Sequence, residues 1–436
     1  MPPDAREPCP GAGSSAFHLR SGELWCEDVR LADLARKHGT PLYVYSTAAI
    51  AERFHRLRAA FGPGAHVCYA VKANPNLSLL RLLHRLGAGF DLVSGGELRR
   101  LEAAGVPTTG AVFAGVGKQA WEIDAAVAAG ILFFNVETPG ELPLLSAAAA
   151  AAGRRARVAL RLNPGVDVGG HAYVRTATGD TKFGVDLAVA GAVVEAIARD
   201  PWLELCGYHV HLGSQVRDAA PYRAALDRVA AFADGAAVRR DGVTHYDLGG
   251  GFGIAYGRGA PLDVGAVAAA LLPELAARGW QPVLEPGRYL VGDAGALVTS
   301  VLGEKQQAHT AFLLVDAAMN DLLRPALYQA EHPVVPVTTG PRDGALREVD
   351  VVGPVCETGD FLARRCQLPP RDRGDLLAVL GAGAYGASMA STYNTRRRPA
   401  EVLVDGPHAR LVRRRDTFPQ LFANELDLED ASSHEA

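Results

Sequence analysis

Lys72 closes a short run, Cys68-Tyr69-Ala70-Val71-Lys72, whose side chains alternate with the two-residue period of a β-strand. Asn74 and Pro75 end the run at once, and Leu79, Leu82, Leu83 and Leu86 then recur at helical spacing up to Gly87. The pattern predicts a lysine at the carboxyl end of a strand that feeds a helix, where α/β folds keep their chemistry. Its neighbours on the predicted face, Ala70 and Cys68, are small and leave room for a flat group beside the amine. Three more stretches carry complementary groups. His209-Val210-His211-Leu212-Gly213-Ser214 sets two imidazoles on one face, followed by a small hydroxyl. Asp247-Leu248-Gly249-Gly250-Gly251-Phe252-Gly253 is a glycine-rich turn whose N–H groups can cradle a phosphate. Glu285-Pro286-Gly287-Arg288 ends a strand with an acid, a sharp turn and a base.

Each stretch alone has an ordinary structural explanation. Together, an amine, a stackable imidazole, a phosphate cup and a carboxylate are the parts that hold pyridoxal 5'-phosphate: Schiff-base lysine, ring cover, anchor and pyridinium partner.

The elements that must position them alternate. Strand-like runs fall at Val67–Lys72, Phe90–Val93, Val112–Ala114, Leu132–Val136, Val158–Leu162, Leu205–Leu212, Tyr246–Leu248 and Val283–Glu285. Between them lie Ala- and Leu-rich stretches such as Gly96–Ala104, Glu141–Ala152, Val185–Arg199, Tyr222–Ala233 and Val264–Arg278. This spacing predicts an α/β fold with a (β/α)8, TIM-like barrel. After Ala294 strands with turns between them replace the helices, from Val298–Val301 to Ala409–Val412. The expected organisation is a flexible extension over 1–20, a cofactor-binding barrel over 42–292, and a C-terminal all-β domain over 293–436 that also takes in N-terminal strands from 21–41.

The 436 residues carry a net charge of −4 with scattered basic residues, which points away from nucleic acid and anionic membranes. Lysine is scarce: Lys37, Lys72, Lys118, Lys182 and Lys305 are the only amines available to lysine chemistry. The 6 cysteines show no paired spacing, so neither a disulfide framework nor a zinc site is indicated. No apolar run is long enough to span a bilayer, and Met1 to Ser15 lacks the apolar core of a secretory signal. A cytoplasmic protein is expected.

The motifs Tyr69-Ala-Val-Lys72-Ala-Asn, His209-Val-His-Leu-Gly-Ser214, Gly249-Gly-Gly251 and Glu285-Pro-Gly-Arg288 resemble those of the fold-type III pyridoxal-phosphate decarboxylases. Three more specific ones resemble the diaminopimelate decarboxylases within that group. These are Met319-Asn-Asp-Leu-Leu-Arg-Pro-Ala-Leu-Tyr328, Gly353-Pro-Val-Cys-Glu-Thr-Gly-Asp360 and Gly383-Ala-Tyr-Gly-Ala-Ser-Met389. The resemblance runs from about Leu42 to Leu426 and implies a barrel plus a β-domain. It also implies a homodimer with active sites at the subunit interface, and decarboxylation of meso-2,6-diaminopimelate to L-lysine and CO2. A related decarboxylase acting on another amino acid with a distal carboxylate shares these features and is the alternative reading. After Tyr328 the chain reads Gln329-Ala330-Glu331-His332, where the family more often has a tyrosine directly before the histidine.

By resemblance, Lys72 carries the cofactor and His211 stacks on its ring, while His209 is structural. Ser214, Gly251, Gly287, Arg288 and Tyr385 hold the phosphate, Glu285 faces the ring nitrogen, and Asp91 stands near the Schiff base or caps a helix. Cys356 is the expected proton donor, delivered with Glu357 by the partner chain. Arg288, Arg324, Tyr328, Tyr385 and Glu357 receive the far end of the substrate. A carboxylate there suits the guanidinium fork, and a bare ammonium there would be repelled.

Overall fold

The protein is described by a computed structural model over residues 6–168, 182–235, 242–340 and 344–425. Parallel strands at His66–Ala70, Gly89–Leu92, Ala111–Phe113, Phe133–Val136, Ala156–Asn163, Leu203–His209, His245–Asp247 and Gln281–Leu284 pair in that order. The eighth returns to the first, with Val283 opposite His66 and Leu284 opposite Val67, and this closes a TIM-like barrel. Outside it run helices whose ends are written locally. Val264–Arg278 starts where the Asp263 side chain accepts the Gly265 and Ala266 N–H groups, and it stops at the left-handed Gly279.

The barrel axis is filled in layers. Cys68, Val112, Phe133, Ala159, Cys206 and Val283 form a separate apolar plug. Two residues further on along their strands, Asn135, Arg161 and Glu285 occupy the next layer, with Asp247 and Asp91 from neighbouring strands. All five are buried. An apolar floor thus carries a polar layer that faces the carboxyl-end mouth.

A second, largely antiparallel sheet is built on Gly295–Gln306, which pairs with Ala311–Val315, Leu376–Leu380 and Leu42–Ser46. Ala400–Asp405 and His408–Arg413 extend one edge, and Arg347–Val352 with Phe361–Leu368 the other. Its core joins Phe17, Leu24 and Leu31 to Val44, Val298 and Val402. No helix among the described residues is long and apolar enough to cross a membrane.

The structure differs from the sequence reading in three places. Leu42–Ser46, placed within the expected barrel range of 42–292, is a strand of the second sheet, because closure of the last barrel strand on the first leaves it no edge there. Within the expected flexible extension, Glu7–Pro8 and Phe17–Arg20 are strands of a small antiparallel sheet with Glu23–Cys26 and Val29–Arg30; residues 1–5 lie outside the described residues. Arg53 anchors this segment, donating to the Gly13 carbonyl at 2.8 Å and pairing with Asp293 at 2.9 Å. Gly13 is required there, since a Cβ would come within 2.3 Å of the Asp293 carboxyl carbon. Finally, the first barrel strand stops at Ala70, and Lys72 sits in a 3-10 turn over Val71–Ala73. Tyr385 N–H donates to the Ala73 carbonyl at 2.8 Å and Asn74 Nδ2 to the Gly383 carbonyl at 3.1 Å, so the second sheet holds that turn in place.

Candidate active site

Lys72 reaches across the barrel mouth, its Nζ donating to Asp91 Oδ2 at 2.7 Å. Asp91 is fully buried, whereas 34% of the Lys72 side chain stays open, so a substrate can approach the amine. Withdrawal from water opposes the lysine's charge. Asp91, Tyr385 and Glu285 nevertheless hold its pKa above the ordinary range. Burial pushes the Asp91 carboxyl up to about 7, helped by Glu285 and opposed by Lys72.

Glu285 stands at the centre of the polar layer. Asn135 Nδ2 donates to its Oε1 at 3.0 Å, and His209 Nε2 lies 3.4 Å from its Oε2. Burial lowers the pKa of His209, leaving it a neutral partner for the carboxylate. Burial works to raise Glu285, yet His209 and Lys72 hold it well below the usual carboxylate range. His211 follows the sixth strand. Its Nδ1 accepts the Gly250 N–H at 3.2 Å, which puts the ring proton on Nε2. Burial brings its pKa down to about 4, so at neutral pH it is a flat, uncharged ring.

Beside it the chain makes a glycine cradle. Gly249 and Gly251 adopt φ of 70° and 83°, and a Cβ on Gly250 would come within 2.3 Å of the Glu285 carbonyl oxygen. Among the described residues the N–H groups of Gly251, Gly287 and Arg288 find no acceptor. Ser214 joins the cradle through Arg288, whose Nη2 donates to its Oγ at 3.1 Å. Tyr385, held at a φ of 56°, lies under the same guanidinium at 4.9 Å. These donors and the lysine amine fit a ring bearing an aldehyde and a phosphate.

On the far side two guanidiniums converge on one ring. Arg288 Nη1 donates to the Tyr256 hydroxyl at 2.6 Å, and Arg324 lies 4.8 Å above the Tyr256 ring. Neither arginine pairs with a carboxylate among the described residues, and the Nε of each is buried without a partner. His332 fixes Arg324. Its Nδ1–H donates to the Leu380 carbonyl at 3.0 Å, so its Nε2 accepts from Arg324 Nη1 at 2.8 Å. Burial and the Arg324 charge drop the His332 pKa to about 3, which keeps that lone pair available. Glu331, where the family more often has tyrosine, is exposed and pairs with Arg258 at 3.0 Å, away from the clamp. Tyr328 ends the short helix begun by Arg324, half-buried and near enough to act on both arginine charges.

The structure therefore brings together Lys72, His211, Ser214, Gly251, Glu285, Gly287, Arg288, Tyr385, Arg324 and Tyr328. Cys356 and Glu357 are elsewhere in the same chain, exposed on the loop before Phe361. There the Cys356 N–H donates to Asn394 Oδ1 at 3.4 Å and Glu357 accepts from the Tyr393 hydroxyl. Sequence reasoning missed Asn135 and Tyr256, and gave Asp247 and His332 no role. Those two left a signal: Asp247 as an acid two residues before a glycine run at a strand end, His332 as the family histidine after Tyr328.

A closed barrel with a lysine, a buried acid and a glycine turn with free N–H groups at its mouth fits a pyridoxal-phosphate enzyme. Residues 47–292 match the family described as pyridoxal-dependent decarboxylase, pyridoxal binding domain. The chain is 48% identical over 412 residues to a diaminopimelate decarboxylase of Pseudomonas fluorescens, covering 94% of this chain and 98% of the other. It is 45% identical over 416 residues to one from Aquifex aeolicus, with the same coverage. Among solved structures, diaminopimelate decarboxylase from Helicobacter pylori complexed with L-lysine superposes with a TM-score of 0.86 at 37% identity, covering 92% of this chain and 99% of that one. The chain belongs to the diaminopimelate decarboxylase family, and it is a carboxy-lyase that uses pyridoxal 5'-phosphate.

Proposed function

We propose that the chain removes CO2 from the D-configured centre of meso-2,6-diaminopimelate and releases L-lysine, the last step of lysine biosynthesis, as a cytoplasmic homodimer. The observation that carries the substrate assignment is the pair of guanidiniums of buried Arg324 and half-buried Arg288, each with a buried Nε and no carboxylate of the described residues to neutralise it. Ornithine and lysine offer only an ammonium at the distal end. Diaminopimelate offers a carboxylate that both forks can grip.

When bound, pyridoxal 5'-phosphate supplies an electrophilic carbon for the substrate amine and a protonated ring that accepts the electron pair left by CO2. Lys72 provides the attachment amine, and Asp91 holds that amine in place. Ser214, the Gly251 and Gly287–Arg288 N–H groups and Tyr385 grip the phosphate. The neutral His211 ring covers one face, and Glu285 keeps its negative charge against the ring nitrogen. Two unit charges about 4 Å apart interact by about 4 kcal/mol at an effective dielectric near 20, so an acid at this position favours the electron-withdrawing ring. Arg288, Arg324 and Tyr328 hold the distal carboxylate, and this leaves the other carboxylate to depart.

Cys356 delivers the proton that replaces CO2, and Glu357 takes the distal ammonium. In the proposed dimer both come from the second copy of the chain, as the family resemblance implies; within their own chain they are exposed and meet Asn394 and Tyr393. Purified protein supplied with the cofactor is expected to evolve CO2 from meso-diaminopimelate. CO2 release from another amino acid but not from this one sinks the assignment. Co-expressed Lys72→Ala and Cys356→Ala chains, each inactive alone, are expected to recover about a quarter of wild-type turnover, since half of randomly paired dimers contain one intact site. No recovery in isolated mixed dimers argues against shared sites.

A further inference from the structure

Asp247 and Glu285 end adjacent barrel strands. Asp247 lies opposite Val283 in the parallel register, so Glu285, two residues on, projects into the same interior. Both side chains are buried, at 0% and 3% exposure. One amide links them: Asn135 Nδ2 lies 3.0 Å from Glu285 Oε1 and 3.4 Å from Asp247 Oδ2. Asp247 Oδ1 accepts the Gly249 N–H at 2.9 Å, the turn that begins the phosphate cradle. The charged groups bearing on this pair are unequal. Glu285 has His209 and His211 beside it and Lys72 nearby, whereas Asp247 meets the acids Glu285 and Asp91. Below them is the apolar plug, with Cys68 in contact range of their charge.

Two carboxyls in one dry cavity that share a single amide donor cannot both stay ionised. The neighbours decide which of them carries the proton. We propose that Asp247 is a positioning residue that works as a neutral acid: its proton and the Asn135 amide hold Glu285 as the lone ionised carboxylate facing the cofactor's ring nitrogen. This rests on the assignment of Glu285 above. Burial and the Glu285 charge both push the Asp247 carboxyl well above the usual range, in accord with that placement. The arrangement also joins the two ends of the cofactor site, because one side chain braces both the ring-facing acid and the first N–H of the glycine turn.

Asp247→Asn and Asp247→Ala separate a neutral donor from a charged acceptor. An asparagine can accept from Gly249 and donate to Glu285, as the protonated acid does. Asp247→Asn is therefore expected to keep cofactor affinity and kcat within a few-fold of wild type. Asp247→Ala is expected to lose roughly ten- to a hundred-fold in cofactor affinity, the range seen when supporting partners are removed from other buried sites. The readout independent of turnover is the infrared spectrum of the holoenzyme near neutral pH. The difference spectrum of wild type minus Asp247→Asn is expected to show the C=O stretch of one buried protonated carboxyl, shifted in deuterium oxide, above the band that Asp91 contributes to both proteins. If that difference band is absent, or if Asp247→Asn loses as much affinity as Asp247→Ala, the proposal is overturned. Should Asp247→Ala fail to fold, the comparison of wild type with Asp247→Asn decides alone. Neither cofactor affinity nor the infrared band depends on the substrate, so a wrong substrate assignment leaves the outcome readable.

Discussion

Lys72→Ala is expected to abolish turnover, by more than about 10⁴-fold, because it removes both the covalent anchor and a proton-carrying amine. Lys118, buried at this end of the barrel, cannot take its place, because it is locked by Glu141 at 2.7 Å and by the Gly115 and Asn135 carbonyls. Lys72→Ala also strips Asp91 of its partner, so lost activity could reflect a disturbed fold. Lys72→Arg removes that ambiguity: the guanidinium still pairs with Asp91 but cannot form the covalent bond. Both variants are expected to be inactive and to lose the visible absorbance of the bound cofactor. Borohydride treatment followed by peptide mapping is expected to find the cofactor on residue 72 in wild type and nowhere in either variant. Measurable turnover by Lys72→Arg, or a reduced adduct on another lysine, removes Lys72 from the attachment role.

Much of this site was legible in the sequence because local rules placed it. Each barrel strand pairs with its neighbours in order, so residues at successive strand ends must meet at one mouth, and Lys72, His211, Gly251 and Glu285 do. Val264–Arg278 was readable to its last residue because Asp263 and Gly279 mark its ends. Phe361–Leu368 gave no such signal. It is a sheet edge whose middle, Arg364-Arg365, faces solvent, and Arg365 sits at a φ of 51° that breaks the alternation. Tyr256 and His332 were given no role for another reason. Their importance comes from tertiary contact with Arg288 and Arg324, which are 32 and 8 residues away in sequence and belong to different elements. The proton on Asp247 was equally hidden, because an acid two residues before a glycine turn reads the same whether or not a second acid lies beside it.

Arg324→Ala is expected to cut kcat/KM for meso-diaminopimelate by roughly 10²–10⁴-fold, the cost of about 3–5 kcal/mol for removing one partner of a buried charge pair. The loss falls only on ligands that bring an anion to the clamp. Ornithine, which lacks a distal carboxylate, gains nothing from Arg324 and meets a like charge there, so its turnover is expected to hold steady or rise. The product tests the same contact without any chemical step: decarboxylation at the D-centre leaves the distal carboxylate on L-lysine, so lysine inhibition is expected to weaken in parallel with substrate affinity. His332→Ala is expected to show the same pattern in smaller measure, since it frees Arg324 Nη1 to leave the geometry set by the Leu380–His332 relay. The two variants together separate charge from placement. Equal losses on diaminopimelate and ornithine, with lysine inhibition unchanged, would mean that Arg324 supports the fold and does not read the substrate.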